Sequence, residues 1–338
     1  MKFKRALLVI SLLALFIICY RQMDTQYDPF ARYSYITDEN EDIIRQYIVD
    51  PDDIEYIISQ KIKPEQFMDF ITLPGFVVKN TLYYEMCLIE RPADKQFIVD
   101  FVNSYRKQLN GQTFDSLIRN YTYASLSEFY DNGYNYIENA ELVADPSLLS
   151  VIIAEDETIL DYRPTDLVSV DTSVISSASS IAGEEVIYLR EEVIEPLKDM
   201  MEAMKEEKNV DNNFILTNGF VSYEMQIEIY KQALKKYGDD TFSMYSDYPG
   251  RSEYQLGYML TLKIPGVDNV TQIEASAQYK WLKDNAHKYG FIIRYPKDKE
   301  KATGKVYQPL TLRYVGEANA LEVYESQNTF NEIEAKDE

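Results

Sequence analysis

Pro249-Gly250-Arg251-Ser252-Glu253-Tyr254-Gln255-Leu256-Gly257 and Gln278-Tyr279-Lys280-Trp281-Leu282-Lys283-Asp284-Asn285-Ala286-His287-Lys288-Tyr289-Gly290-Phe291-Ile292-Ile293-Arg294-Tyr295-Pro296 are the two blocks around which the chain is organised, and Arg313-Tyr314-Val315-Gly316 closes them. The first block runs into Tyr258 to Lys263, which reads as a strand. In the second, Ala277, Trp281, Leu282 and Ala286 recur at helical spacing, so Glu274 to Tyr289 is expected to be a helix burying that stripe. Phe291 to Tyr295 follows as a second strand.

Working outward, helix and strand periods keep alternating. Glu184 to Glu207 sets Val186, Leu189, Val193, Leu197, Met200, Met201 and Met204 on one side, as an amphipathic helix does. Phe214-Ile215-Leu216 reads as a short strand ending at Asn218-Gly219, and Ser222 is placed to cap a helix reaching Tyr237. No glycine-rich phosphate loop accompanies these elements. The expected fold class is therefore α+β, with a small antiparallel sheet and packed helices, rather than a nucleotide-binding doubly wound sheet.

These blocks resemble the VanY-type zinc D-alanyl-D-alanine carboxypeptidases, which trim the terminal D-alanine from peptidoglycan stem peptides. The family pattern reads Ser-x-His-x-x-Gly-x-x-x-Asp, then Trp-Leu-x-x-Asn-Ala-x-x-Tyr-Gly-Phe, then Glu-Pro-Trp-His and Arg-Tyr-Val-Gly. Gly219-Phe220-Val221-Ser222-Tyr223-Glu224-Met225-Gln226 resembles the family's Gly-Tyr-Arg-Ser-Tyr-x-x-Gln, and Leu160 to Val168 its lead-in segment. The resemblance extends from about Leu160 to Tyr324, roughly half of the chain.

The departures fall on the chemistry that the resemblance implies. Tyr254 stands at the first histidine, Thr261 at the aspartate, and Gln308-Pro309-Leu310-Thr311 at Glu-Pro-Trp-His, while Val221 replaces the arginine expected to hold substrate or stabilise developing charge. A catalytic zinc needs three good N, O or S donors and an open position. A phenol with an ordinary pKa near ~10 and two threonine hydroxyls are poor substitutes. Gln308 can orient a water but cannot take its proton. The expectation is a zinc-free, non-hydrolytic domain. If the alignment holds, Tyr254, Thr261 and Thr311 converge on one point, Gln308 borders the same cleft, and Val221 and Leu310 line a pocket with no charge for a carboxylate. Ser222, Gln226, Arg251, Ser252 and Arg294 match retained positions and are the candidates for holding a peptide, arginine being suited to bidentate carboxylate capture; scaffold hydrogen bonding is the alternative for each.

The 338 residues, 46% hydrophobic, suffice for two domains, and a net charge of −22 argues against nucleic acid as a partner. No Asp-x-Asp-x-Asp-Gly calcium loop is present. Lys2, Lys4 and Arg5 precede the apolar run Ala6 to Tyr20, which reads as a signal or anchor over 1–23. The run is short for a span of ~20 residues, yet no small-x-small cleavage site follows. The expected location is the membrane, single-pass with the C-terminal domain outside, or secreted. A helical, Tyr-rich, acidic module is expected over 24–145, a connecting segment over 146–183 with strand-like Val151 to Ala154 and a flexible Ser173 to Ser180, the carboxypeptidase-like domain over 184–326, and an acidic tail over 327–338. Of two cysteines, Cys87 reads as a small buried residue rather than a nucleophile. His287, the single histidine, has no second ligand beside it and reads as a surface or supporting residue.

Three functions fit these readings. The first is an inactive domain that binds a peptidoglycan stem peptide or an envelope protein. The second is an active metallocarboxypeptidase with displaced ligands. The third is a structural envelope protein acting through the helical module.

Overall fold

A computed structural model describes residues 2–25, 28–181, 183–208, 210–334 and 337. The chain divides into two compact units, Met1–Ile118 and Arg119–Glu338. Met1 and residues 335, 336 and 338 of the acidic tail lie outside the described residues.

The first unit is helical. Asp50 caps Pro51–Ser59 through Asp52 N, and Asp94 caps Lys95–Tyr105 through Phe97 N, so acids satisfy otherwise open helix N–H groups. Pro64–Gln66 forms only a 3-10 turn within this helical unit. Tyr33, Ile44, Ile48, Ile57 and Phe67 form one buried cluster, and Cys87 is fully buried. Tyr83, Tyr84 and Tyr105 are buried or half-buried, as helical spacing of aromatic residues predicts. Lys2–Thr25 is a helix whose residues 9–22 are exposed. The spanning anchor expected over 1–23 is not supported: among the described residues no helix is long and apolar enough to cross a membrane, and Ala6 to Tyr20 falls short of the ~20 residues of a span.

The second unit is built on a five-stranded sheet, here labelled β1 (Ser176–Ser177), β2 (Ile215–Asn218), β3 (Met259–Lys263), β4 (Phe291–Tyr295) and β5 (Gln308–Tyr314), in the order β1-β2-β3-β5-β4. The β1–β2 pair is parallel and the others antiparallel. Ser173 to Ser180 is thus not wholly loop. Two backbone bonds, Ala178 N to Leu216 O and Ser180 N to Thr217 O, extend the pairing beyond β1.

Three further expectations need correction. The helix predicted from Glu184 begins only at Glu191, because Tyr188–Arg190 pairs antiparallel with Leu167–Ser169, and Leu189 is buried as a strand residue. The helix predicted over Glu274 to Tyr289 is split by Ser276, which caps Ala277–Asn285, and ends as the 3-10 turn Ala286–Tyr289. Val151 to Ala154 is not a strand. Its carbonyls are taken by side chains instead, Arg313 Nη2 donating to Val151 O at 2.6 Å and Arg251 Nη2 to Ala154 O at 2.8 Å. Gly290 has φ +77° and a Cβ there would lie 2.6 Å from the Tyr314 ring, so glycine is required where the turn leads into β4.

Candidate functional site

Register across the sheet brings the substituted positions together. Thr261 of β3 faces Thr311 of β5 directly, and on its other side faces Asn218 of β2. Directly opposed residues of an antiparallel pair carry their side chains on the same sheet face, within contact of one another. Tyr254 comes from the 3-10 turn Glu253–Leu256, which precedes β3. Gln308, three residues before Thr311, begins β5 opposite Tyr295 at an irregularity in the β4–β5 ladder, where Pro309 supplies no N–H.

The four side chains form one hydrogen-bonded row. Tyr254 and Thr261 hydroxyls lie 2.5 Å apart, Thr261 and Thr311 hydroxyls 3.4 Å apart, and Thr311 Oγ1 donates to Gln308 Oε1 at 2.9 Å. Each hydroxyl carries one proton. Because Thr311 spends its own on Gln308, Thr261 turns towards Thr311 and Tyr254 donates to Thr261. Burial raises the Tyr254 phenol above its ordinary value of 10, although its bonds to Thr261 and Thr311 work the other way. The phenol therefore stays neutral and serves as the first donor of the row.

The zinc of the carboxypeptidase pattern does not fit this donor set. Three neutral hydroxyls and an amide, already bonded to one another, offer no anionic or imidazole ligand. Among the described residues no group of three or more His, Cys, Asp or Glu side chains is placed to hold a metal ion. Thr311→Val tests the row, since it leaves Thr261 and Gln308 without their partner at nearly constant volume. It should cost ~1–2 kcal/mol, read as a lower urea midpoint at unchanged slope.

Beside the row lies a cleft of about 180 Å³, whose walls include Asn218, Val221, Gln226, Ser252, Tyr254 and Gln308. Val221 is buried at the entry to the helix Tyr223–Tyr237, its N–H donating to Tyr254 O at 3.3 Å. Leu310, expected to share the lining, does not. It alternates with Thr311 along β5 and so faces the other side of the sheet.

Of the five retained candidates, the cleft receives two. Gln226 is buried with Nε2 donating to Asp247 O at 2.8 Å and to Ser246 Oγ at 3.3 Å, and Ser252 is buried in the wall. Ser222 caps its helix through Met225 N and bonds Glu224, Arg251 holds Ala154, and neither lines the cleft. Arg294 is not a ligand group: its guanidinium is buried and bidentate to Glu253, at 2.6 and 2.7 Å, while Arg313 Nη1 donates to the same carboxylate at 2.6 Å. His287 stands elsewhere, its ring stacked 3.6 Å from that of Tyr324 at the edge of a separate cavity of about 470 Å³.

Sequence reasoning missed Glu253, the hub beneath the site, and the pair Asp247–Lys305 in the cleft wall, 2.5 Å apart. Glu253 sits between two residues of the quoted motif, which was the available signal. Asp247 and Lys305 meet only through the tertiary fold, and no local period marks either.

The sheet, the helix Tyr223–Tyr237 leading from Val221, and the converging positions 254, 261, 308 and 311 define a carboxypeptidase-type core, and the chain belongs to the VanY family of D-alanyl-D-alanine carboxypeptidases, whose family model matches residues 186–317. A protein of Bacillus subtilis (strain 168), YodJ, itself named only provisionally as a carboxypeptidase, is 31% identical over 234 residues, spanning 67% of this chain and 82% of that one. The D-alanyl-D-alanine carboxypeptidase of Enterococcus faecium is 31% identical over 130 residues, 38% of each chain. Among solved structures, the LdcB LD-carboxypeptidase, described in terms of peptidoglycan recognition, is 31% identical with a TM-score of 0.50, covering 59% of this chain and 91% of that one.

Proposed function

We propose that the second unit is a VanY-family domain that binds peptidoglycan peptide, or an envelope protein presenting a similar chain end, without hydrolysing it and without zinc. The observation that carries this reading is the closed row Tyr254–Thr261–Thr311–Gln308, which fills the place of ligands and base with neutral groups bonded to one another. Family membership supports peptidoglycan peptide as the ligand class. On this reading the chain works outside the cytoplasm, exported through its basic and apolar N-terminal segment, because its ligand is there.

The same membership favours a second reading, an active carboxypeptidase. Incubation of the purified chain with a stem pentapeptide, with and without added zinc, separates the two. The proposal expects no D-alanine release above the rate without protein under either condition, since a site without metal or base lacks both means of activating water. Zinc-dependent release would establish the second reading.

A further inference from the structure

Strand β4 ends the sheet order β1-β2-β3-β5-β4, so one side of its backbone faces no other strand of the sheet. Register fixes which groups lie on that side. Val315 N donates to Gly290 O at 2.8 Å, and Ile292 is the partner of Arg313, so residues 290 and 292 turn their backbone groups towards β5. Orientation alternates along an antiparallel ladder, and the N–H and C=O of Phe291 and Ile293 therefore point away from β5. Tyr314, the partner of Phe291, agrees with this assignment: its N–H is given to Tyr258 O at 3.0 Å, on the far side of β5. Among the described residues no hydrogen bond occupies the outward groups of Ile293, which is only half-buried.

Phe291 and Ile293 line the cavity of about 470 Å³, a groove that shares no wall residue with the cleft. Leu282 and Ala286 contribute from the helix Ala277–Asn285 and the turn after it, and Ala320 and Val323 from the helix Glu317–Ser326. We propose that this groove takes an extended, acidic polypeptide segment, which pairs with the free edge of β4 as an added strand. An open strand edge is a template for another chain, because each outward N–H and C=O seeks a partner. Pro296 and Lys297 blunt the edge beyond Tyr295, as such residues commonly do, but leave it open at Ile293. The side chains of an added strand would alternate between the apolar walls on either hand.

The acidic character of the partner follows from the charges in the walls. Among the described residues Lys283, Lys297 and Lys299 line the groove against one acid, Asp284, on a chain whose net charge is −22. Lys297 and Lys299 give one proton each to Glu274 and Glu332, at 2.9 and 3.0 Å. Neither glutamate lines the groove, and each ammonium keeps two further protons for a ligand. Lys283 is exposed at the rim. Burial holds the His287 imidazole below its ordinary value, so it adds no charge of its own near neutral pH. Carboxylates flanking a short apolar stretch would therefore meet ammonium groups while the stretch between them pairs with β4. The volume falls within the ~300–1,000 Å³ of formed ligand sites, enough for a few residues.

Residue-resolved hydrogen exchange on the full chain tests this, with the blocked peptide acetyl-Glu-Val-Ala-Val-Glu-amide as the probe. In the free chain the Ile293 amide should exchange at least about tenfold faster than that of Ile292, which is held in the ladder. Saturating peptide should slow Ile293 by at least about tenfold and leave Ile292 unchanged. The same peptide N-methylated at its three central residues should bind at least about tenfold more weakly, because it has lost the donors of a strand. Lys283→Gln, a change at an exposed position, should weaken the unmodified peptide about threefold. No binding at millimolar concentration, binding that leaves Ile293 unprotected, or equal binding of the N-methylated peptide would overturn strand addition. Unchanged affinity in Lys283→Gln would overturn the acidic preference. None of these outcomes bears on zinc or hydrolysis, so the groove and the proposed function stand or fall separately.

Discussion

Glu253→Gln should destabilise the second unit by ~3–5 kcal/mol, the usual cost of removing one partner from a buried ion pair. Glu253 accepts from Arg294 Nε and Nη2 and from Arg313 Nη1, and both arginines are essentially inaccessible to water. Burial works against both cations. For Arg294 the attraction of Glu253 outweighs it and the group is raised; for Arg313 burial prevails and the group is lowered. Neutral glutamine in the turn that carries Tyr254 would leave two buried guanidiniums without an anion, Arg294 on β4 and Arg313 on β5, the strand that carries Thr311.

The pH dependence has a definite sign. Burial alone would raise the Glu253 carboxyl, but Arg294 and Arg313 overcome it and hold the group at about 2 rather than 4.5. A group lowered on folding contributes stability that is fully present above its unfolded value and is lost as pH falls. Wild type should therefore lose this contribution between about pH 4.5 and 2. The variant should lack that component of the acid slope. Urea midpoints for both proteins at pH 7 and pH 3 check the difference.

The second large effect is a gain. Tyr254→His, Thr261→Asp, Thr311→His and Gln308→Glu together should create a zinc site, because the four positions already lie in one hydrogen-bonded row on adjoining backbone elements. At a thousandfold excess of zinc over its dissociation constant the metal would stabilise the folded chain by about 4 kcal/mol, visible as a rise in melting temperature reversed by chelator. Each single substitution should give no such rise, since an incomplete ligand set holds metal weakly and members of a catalytic unit do not act additively. A zinc-dependent rise in any single variant would mean that another residue completes the site.

Much of this site was legible in local sequence. Ser222 announced a helix cap, and the spacing from Tyr254 to Thr311 matched a family frame whose β3–β5 register then sets Thr261 against Thr311. What escaped depends on distant partners. Tyr188–Arg190 has the composition of a helix start and becomes a strand because Leu167–Ser169 pairs with it. Val151 to Ala154 has the β-branched character of a strand, yet arginine side chains from positions 251 and 313 satisfy its carbonyls. Gln255 likewise spends its Nε2 on Leu160 O and Tyr162 O. Arg294 looks like a ligand group in isolation, and only its burial against Glu253 assigns it to the scaffold.

The central claim is that neutral, mutually bonded side chains have taken the place of a metal centre. It is tested most directly by the zinc content of the purified wild-type chain, measured by mass spectrometry after incubation with excess zinc and desalting, with melting curves recorded before and after chelator. The account predicts zinc far below one equivalent and a melting temperature indifferent to chelator, because no binding energy of a metal contributes to the fold. One equivalent of retained zinc, with a melting temperature that falls when it is stripped, would contradict it.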